Sequence, residues 1–276
     1  MTKISVIIPT MAGREELLVR LLQSIPRKYE IKIVGDEIGE NLLLAAKRNK
    51  GAEKATGEYL LFIDDDNYLE PGAIEAAFKL CEKESVGVVG FMACYDDQKD
   101  KVADGGSKRN YLTGFTTGVN TNANYSTLSK EPYEVDEIAN AFMVDAELYY
   151  QLFGFDEKNF PIDLDEADFC RRVKDMGLKV MVCPLAKVYH KSLTYSHIPN
   201  FRRDKSAYFL SRNIVFYQGK HLNALSYWVF IILFLPVRIC FYLFALIWRK
   251  NFQMIIPMMG GYFDGLRNCR ANKYQR

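Results

Sequence analysis

The 276-residue chain has little of what marks several protein classes. Its six cysteines, Cys81, Cys94, Cys170, Cys183, Cys240 and Cys269, contain no CxxC pair. No Cys/His spacing suggests zinc, and scattered thiols of this kind read as reduced cysteines of a cytosolic compartment. No signal-peptide pattern opens the sequence, because residues 3–10 already read as a strand. There is no internal repeat and no low-complexity segment. No uncharged apolar run reaches the ~20 residues that a membrane span needs. The longest runs, residues 222–237 and 239–248, are divided by Arg238 beside Pro236.

Hydrophobic residues make up 49% of the chain, enough for the core of one large domain or two small ones. The net charge of +2 conceals a division. Residues 201–276 hold twelve Lys/Arg and two Asp/Glu, whereas residues 1–200 hold 24 and 32. A basic tail on an acidic body points to an anionic surface as the tail's partner. Nucleic acid is not among the expected partners.

The chain is organised around residues 57–70, GEYLLFIDDDNYLE. Residues 59–63 form a short apolar run of strand length, and three carboxylates, Asp64, Asp65 and Asp66, end it. Three adjacent anions repel one another unless something positive sits among them. A divalent cation shared with substrate phosphates, Mg²⁺ or Mn²⁺, suits such oxygen ligands. The plain alternative is a solvated acidic turn capping a helix. Around this stretch, strand-like residues 4–8, 31–34 and 86–92 alternate with helical residues 14–24, 41–54 and 71–81. That alternation predicts an α/β fold, a Rossmann-like, mostly parallel sheet with helices on both faces. Its ligands would bind at the carboxyl edge of the strands. The polar segment 93–135 breaks the pattern and is expected to be short strands and loops over that edge. Residues 140–144 are apolar again. Helices are expected at 146–153 and 165–176, the latter closed by Gly177, and strands at 179–182 and 187–190.

These pieces together resemble the family 2 inverting glycosyltransferases of the GT-A fold, in their rhamnosyl- and galactofuranosyl-transferase-like branch. The carriers are ISVIIPT, AAKRNKGAEKATGEYLLFIDDD, FGFDEKNF and DEADFCRRVKDMGLKVMVCPLAKVYH, in this order over residues 3–200. The resemblance implies that Asp64 and Asp66, completed by His190, hold the metal at the donor's diphosphate, with Asp65 at the ribose or phosphate. It implies that Pro9, Thr10 and Asp36 hold the base and ribose, with Arg48 and Asn49 near the nucleotide. Glu166 stands at the family's catalytic-base position, where Asp is usual, and adjacent Asp165 is the competing carboxylate.

The division expected is a catalytic domain over residues 1–200, nucleotide-binding over 1–100 and acceptor-binding over 101–200, followed by a helical tail over 201–276. The reaction expected is transfer of a sugar from a nucleotide-diphosphate donor to a lipid-linked or cell-surface glycan, a glycan or glycolipid acceptor. One carboxylate base opposite the leaving group means inversion. Rival readings are a polyprenyl-phosphate glycosyltransferase and a non-catalytic nucleotide-sugar-binding membrane protein. Basic residues on both sides of the apolar runs favour a tail lying on, or re-entering, the cytoplasmic face of the membrane. Burial of the same stripe in a homo-oligomer is the alternative.

Overall fold

The computed structural model describes residues 3–36, 42–191 and 204–273. Asn41, and Arg202, Arg203 and Arg276 of the basic tail, lie outside them. The chain separates into two compact units. The larger comprises Met1–Lys108, Thr117–Glu157 and Asp165–Tyr195. The smaller gathers Arg109–Thr116 and Lys158–Leu164 with Ser196–Arg276.

In chain order the first half contains β1 (Ile4–Pro9), α1 (Glu15–Ser24), β2 (Glu30–Val34), α2 (Leu44–Glu53), β3 (Tyr59–Ile63), β4 (Asn67–Leu69), α3 (Ala73–Cys81) and β5 (Val86–Tyr95). Short strands follow, β6 (Val102–Asp104), β7 (Ser107–Arg109), β8 (Thr116–Gly118) and β9 (Tyr133–Val135). Then come β10 (Ala141–Asp145), α4 (Ala146–Gln151), α5 (Asp165–Asp175) and β11 (Lys179–His190). The central sheet runs β2-β1-β3-β10-β5-β11-β4, with β6 on β5 and β9 on β11. Strands β1, β2, β3, β5 and β11 share one direction, and β10 lies antiparallel between β3 and β5. The apolar residues at 140–144 gave no sign of that reversal. β10 arrives after short strands rather than a helix, so no crossover constrains its direction.

The strand expected at 86–92 runs on to Tyr95. The two expected at 179–182 and 187–190 are one strand, β11, whose register shifts between Cys183 and Lys187. Pro184 has no N–H to give the ladder there. Residue alternation along β3 supplies both faces of the sheet. Leu60 and Phe62 join the core under α2, α4 and α5, while Leu61 and Ile63 join the core under α1 and α3. Gly51 allows α2 to press against β1, since a Cβ there would stand 2.5 Å from a methyl of Ile7.

The smaller unit is built on α6 (Asp204–His221), α7 (Ala224–Val229), α8 (Leu235–Trp248) and α9 (Ile255–Lys273). A π-helical stretch, Phe230–Phe234, joins α7 to α8. Gly261 and Gly265 lie one turn apart on α9, and there it packs on α6. A Cβ at Gly261 would come within 2.2 Å of the Tyr208 carbonyl oxygen, and one at Gly265 within 2.9 Å of Val215. Tyr208 also donates its hydroxyl to Asp264 at 2.8 Å. Gly261→Ala is expected to force the helices apart and cost ~1–3 kcal/mol, the usual penalty of overpacking. Urea denaturation would measure it, and an unchanged midpoint would refute the close approach.

Candidate active site

The site is assembled where β1 and β3 end side by side. Thr10 follows β1 and Asp65 follows β3, and the Thr10 hydroxyl donates to Asp65 Oδ2 at 2.7 Å. Helix α2 runs back along these strands and delivers Lys47, Arg48 and Asn49. Lys47 is buried and donates to the Thr10 carbonyl at 2.6 Å and to Asp36 at 2.5 Å. Pro9, Thr10 and Asp36 are thus gathered at one strand end, and the Lys47 hydrogen bond holds the Asp36 carboxyl below its ordinary range.

Arg48 is the centre. It is fully buried, and its guanidinium binds three carboxylates. Nη1 donates to Asp165 at 2.7 Å, and Nη2 donates to Asp64 at 2.9 Å and to Glu166 at 2.7 Å. The rings of Phe155 and Phe142 lie 5.5 and 5.9 Å away. Burial disfavours the arginine's charge, but Glu166, Asp64 and Asp165 outweigh it and fix the guanidinium as a cation. Asn49 is fully used elsewhere. It donates to the Phe155 carbonyl and to Glu157, and accepts from Tyr149 and the Phe155 N–H. It therefore pins the 154–157 turn to α2, and Arg48 faces carboxylates.

Asp165 and Glu166 differ in one decisive respect. The Asp165 side chain is completely buried, whereas the Glu166 side chain keeps 15% of its surface exposed. Burial, reinforced by Asp165 and Asp64 against Arg48, pushes the Glu166 carboxyl up to about 8. Asp168, a turn further along α5, is buried and binds Arg172 at 2.8 Å.

The aspartate triplet is divided among cations. Asp64 goes to Arg48. Arg14, which directly precedes α1, reaches Asp65 at 2.8 Å and Asp66 at 2.6 Å. His190, the last residue of β11, stands 3.4 Å from the other oxygen of Asp66. Burial pushes Asp64 and Asp65 up. Burial acts on Asp66 too, but His190 and Arg14 overcome it and leave that carboxyl below its ordinary range. His190 is raised, since Asp66, Asp64 and Asp104 outweigh its burial.

Arg14 and Asp104 were not singled out in the sequence. Arg14 reads there only as the start of a helix. Asp104, at the end of β6, is fixed by the Gly106 N–H at 2.8 Å and the Asn140 amide at 3.1 Å. Asn140 has a left-handed backbone, φ 66°, and its carbonyl receives the Asp64 N–H at 2.9 Å. An asparagine tolerates that conformation, and its place in the apolar stretch 140–144 was the available signal.

Residues 28–130, which carry α2, β3 and the aspartate triplet, match the family Glycosyl transferase family 2. The match covers well under half of the chain. No curated protein matches the sequence. Among solved structures the fold is similar to that of GalNAc-T7, crystallised with UDP, GalNAc and Mn²⁺, at 17% identity and a TM-score of 0.58. The alignment covers 70% of this chain and 44% of GalNAc-T7, so the chain spans less than half of that protein. S. aureus TarS 1–349 aligns at 15% identity and a TM-score of 0.47, over 83% of this chain and 69% of TarS. Fold and match together describe an α/β domain similar to GT-A structures, whose residues 28–130 match Glycosyl transferase family 2.

Proposed function

We propose that the protein is a metal-dependent, inverting glycosyltransferase that moves a sugar from a nucleotide-diphosphate donor to a lipid-linked or cell-surface glycan. The observation that carries this reading is Arg48 Nη2, which holds Asp64 and Glu166 at once. The carboxylates suited to the leaving group and the carboxylate suited to the acceptor therefore stand on either side of one nitrogen. The rhamnosyl- and galactofuranosyl-transferase-like branch is the part of the family whose motifs the chain resembles.

The residues present fit a divalent metal. Even without Glu166, whose carboxyl is pushed up to about 8, four carboxylates, Asp64, Asp65, Asp66 and Asp165, face two guanidinium groups and one imidazole. That leaves an excess of negative charge which a divalent ion would neutralise. Among the described residues no three His, Cys, Asp or Glu side chains already converge as a complete ligand set. Asp66 with His190 is the nearest pair, and Asp64 would add a third donor. Mg²⁺ and Mn²⁺ characteristically take few protein ligands and complete their shell with substrate phosphates and water. Mn²⁺ and UDP in GalNAc-T7 support the same assignment.

When bound, the metal supplies charge stabilisation to the departing diphosphate. This chain's own residues do the rest. Thr10, Asp36 and Asp65 would orient the nucleotide, with Lys47 fixing Thr10 and Asp36. Glu166 accepts the proton of the acceptor hydroxyl on an Oε atom, while Arg48 holds the carboxylate in place. Asp165, closed to solvent, orients Arg48. A single base opposite the leaving group gives inversion. The acceptor class is supported by the apolar, basic C-terminal helices.

A thermal-shift screen of nucleoside diphosphates with and without Mn²⁺ tests this reading. A ligand at about a hundred times its dissociation constant stabilises by ~2.7 kcal/mol. At least one nucleoside diphosphate is expected to do so in a Mn²⁺-dependent manner. If none does, with or without an attached sugar, the reading fails.

A further inference from the structure

The smaller unit turns its apolar side outward. The two runs that Pro236 and Arg238 divide in sequence are one continuous helical segment, Ala224–Trp248, of 25 residues. Its exposed face carries Leu225, Ile232, Val237, Phe241 and Phe244, each between 46% and 77% exposed. Its one internal charge points the other way. Arg238 is 5% exposed, lies 5.1 and 4.9 Å from the rings of Phe115 and Tyr242, and donates to the Gly114 carbonyl at 3.3 Å. Helix α9 adds a second outward stripe, Ile256, Met259 and Phe263. A helix on a water-soluble surface shows the opposite polarity.

Charge selects what covers this face. Residues 201–276 contain twelve Lys/Arg against two Asp/Glu, and Arg249, Lys250 and Arg267 are exposed at the ends of the stripes. A second copy packed isologously would set this cationic surplus against itself. A lipid surface bearing anionic headgroups would neutralise it, as the cytoplasmic leaflet does.

Orientation follows from Arg238. Trp228 and Trp248 stand twenty positions apart, ~30 Å of helix, which equals the hydrocarbon thickness of a bilayer. By length the segment could cross. Crossing would put Arg238 at the bilayer centre together with its partner strand of chain, residues 109–116. Asn110 and Thr116 in that stretch are exposed, and exposed polar side chains are costly in hydrocarbon. Lying in the plane sinks the stripe ~5–10 Å, sets both tryptophans at headgroup depth and keeps Arg238 on the protein side. We propose that the smaller unit docks on an anionic lipid surface with Ala224–Trp248 parallel to it, as a monotopic element.

The proposal stands apart from the transfer chemistry. A chain that binds nucleotide but not vesicles would overturn it, leave the proposed activity intact and remove support for the lipid-linked acceptor. The test uses the full chain with vesicles of phosphatidylcholine, alone or mixed with phosphatidylglycerol. Cys240 is exposed within the apolar stripe, whereas Cys81, Cys94, Cys170 and Cys183 are buried. A Cys269→Ser chain labelled at Cys240 with a bimane therefore reports depth through quenching by lipids brominated at successive acyl positions. Binding at least ~10-fold tighter to the phosphatidylglycerol vesicles is expected, with Cys240 as shallow as the two tryptophans. Ile232→Glu combined with Phe244→Glu is expected to weaken binding at least ~10-fold with an unchanged circular dichroism spectrum. Absence of binding overturns the proposal. A Cys240 probe at the bilayer centre overturns it in favour of a span. A detergent-free dimer dissolved by the glutamates, without vesicle binding, overturns it in favour of a second copy.

Discussion

Asp66→Ala is expected to abolish sugar transfer and the Mn²⁺-dependent part of nucleoside diphosphate binding while leaving the fold intact. Asp66 has the two partners that a metal would replace or join, Arg14 on one oxygen and His190 on the other. Loss of this carboxylate removes the donor nearest to a ligand set and leaves His190 without a companion. Its removal also lowers the repulsion within the triplet, so the substitution has no reason to unfold the domain. Asp64→Asn is expected to act more mildly on metal affinity, because one Asp64 oxygen is already held by buried Arg48. A loss of ~10²–10³-fold or more in turnover is the scale of a missing electrostatic stabiliser. Transfer rate, thermal melting and Mn²⁺-dependent nucleotide stabilisation would be measured for each variant. Full activity of the wild-type chain in EDTA, or unchanged Mn²⁺ dependence in Asp66→Ala, would dismiss the metal assignment.

The parts of this site that sequence made legible are those fixed by strand ends. An apolar run closed by carboxylates has one place to go in an α/β sheet, the carboxyl edge, and Asp64, Asp65 and Asp66 are there. His190 follows for the same reason, since β11 must end on the edge at which β3 ends. The two strands read around Pro184 were in truth one, because a proline interrupts a ladder without ending the strand.

Arg48 was legible as a residue but not in its setting. As part of AAKRNKGAE it reads equally as a solvated helix charge or a nucleotide contact. What puts it among three carboxylates is the packing of α2 onto β1 at Gly51 and the arrival of α5 from more than a hundred residues away. Neither is a local property of the sequence. Arg14 was missed for the same reason. Pairing with Asp65 and Asp66 requires β1 and β3 to be neighbours, which pattern alone cannot register. The continuity of Ala224–Trp248 was hidden by Arg238, a charge that sequence places in the run and folding turns inward.

The decision between the two adjacent carboxylates of α5 has a sharper consequence. Glu166→Gln keeps size and hydrogen bonding but cannot accept a proton, and should lower turnover at least ~10²-fold with donor affinity nearly unchanged. Asp165→Asn should be milder in turnover, because Asp165 has no exposed surface and reaches an acceptor only through Arg48. Glu166→Asp should retain partial activity, with a carboxylate one methylene short. The pH dependence carries the same assignment. Glu166 must be ionised to act, so kcat/KM of the wild type should show a limb that rises with pH. In the metal-free site this carboxyl is pushed up to about 8, and a bound metal that neutralises Asp64 would shift the limb below that. The stability sign is opposite. Between the unfolded value of 4.5 and about 8 the folded chain holds a proton that the unfolded chain lacks, so this group's contribution to stability falls as pH rises through that window. Glu166→Gln should therefore gain stability relative to wild type at the upper end of the window, and gain nothing below it, in melts run in EDTA. Arg48 retains Asp64 and Asp165 as partners in that variant, so its charge stays compensated. If Asp165→Asn is inactive while Glu166→Gln keeps most of its turnover and its ascending pH limb, the base is Asp165 and the exposure argument is wrong.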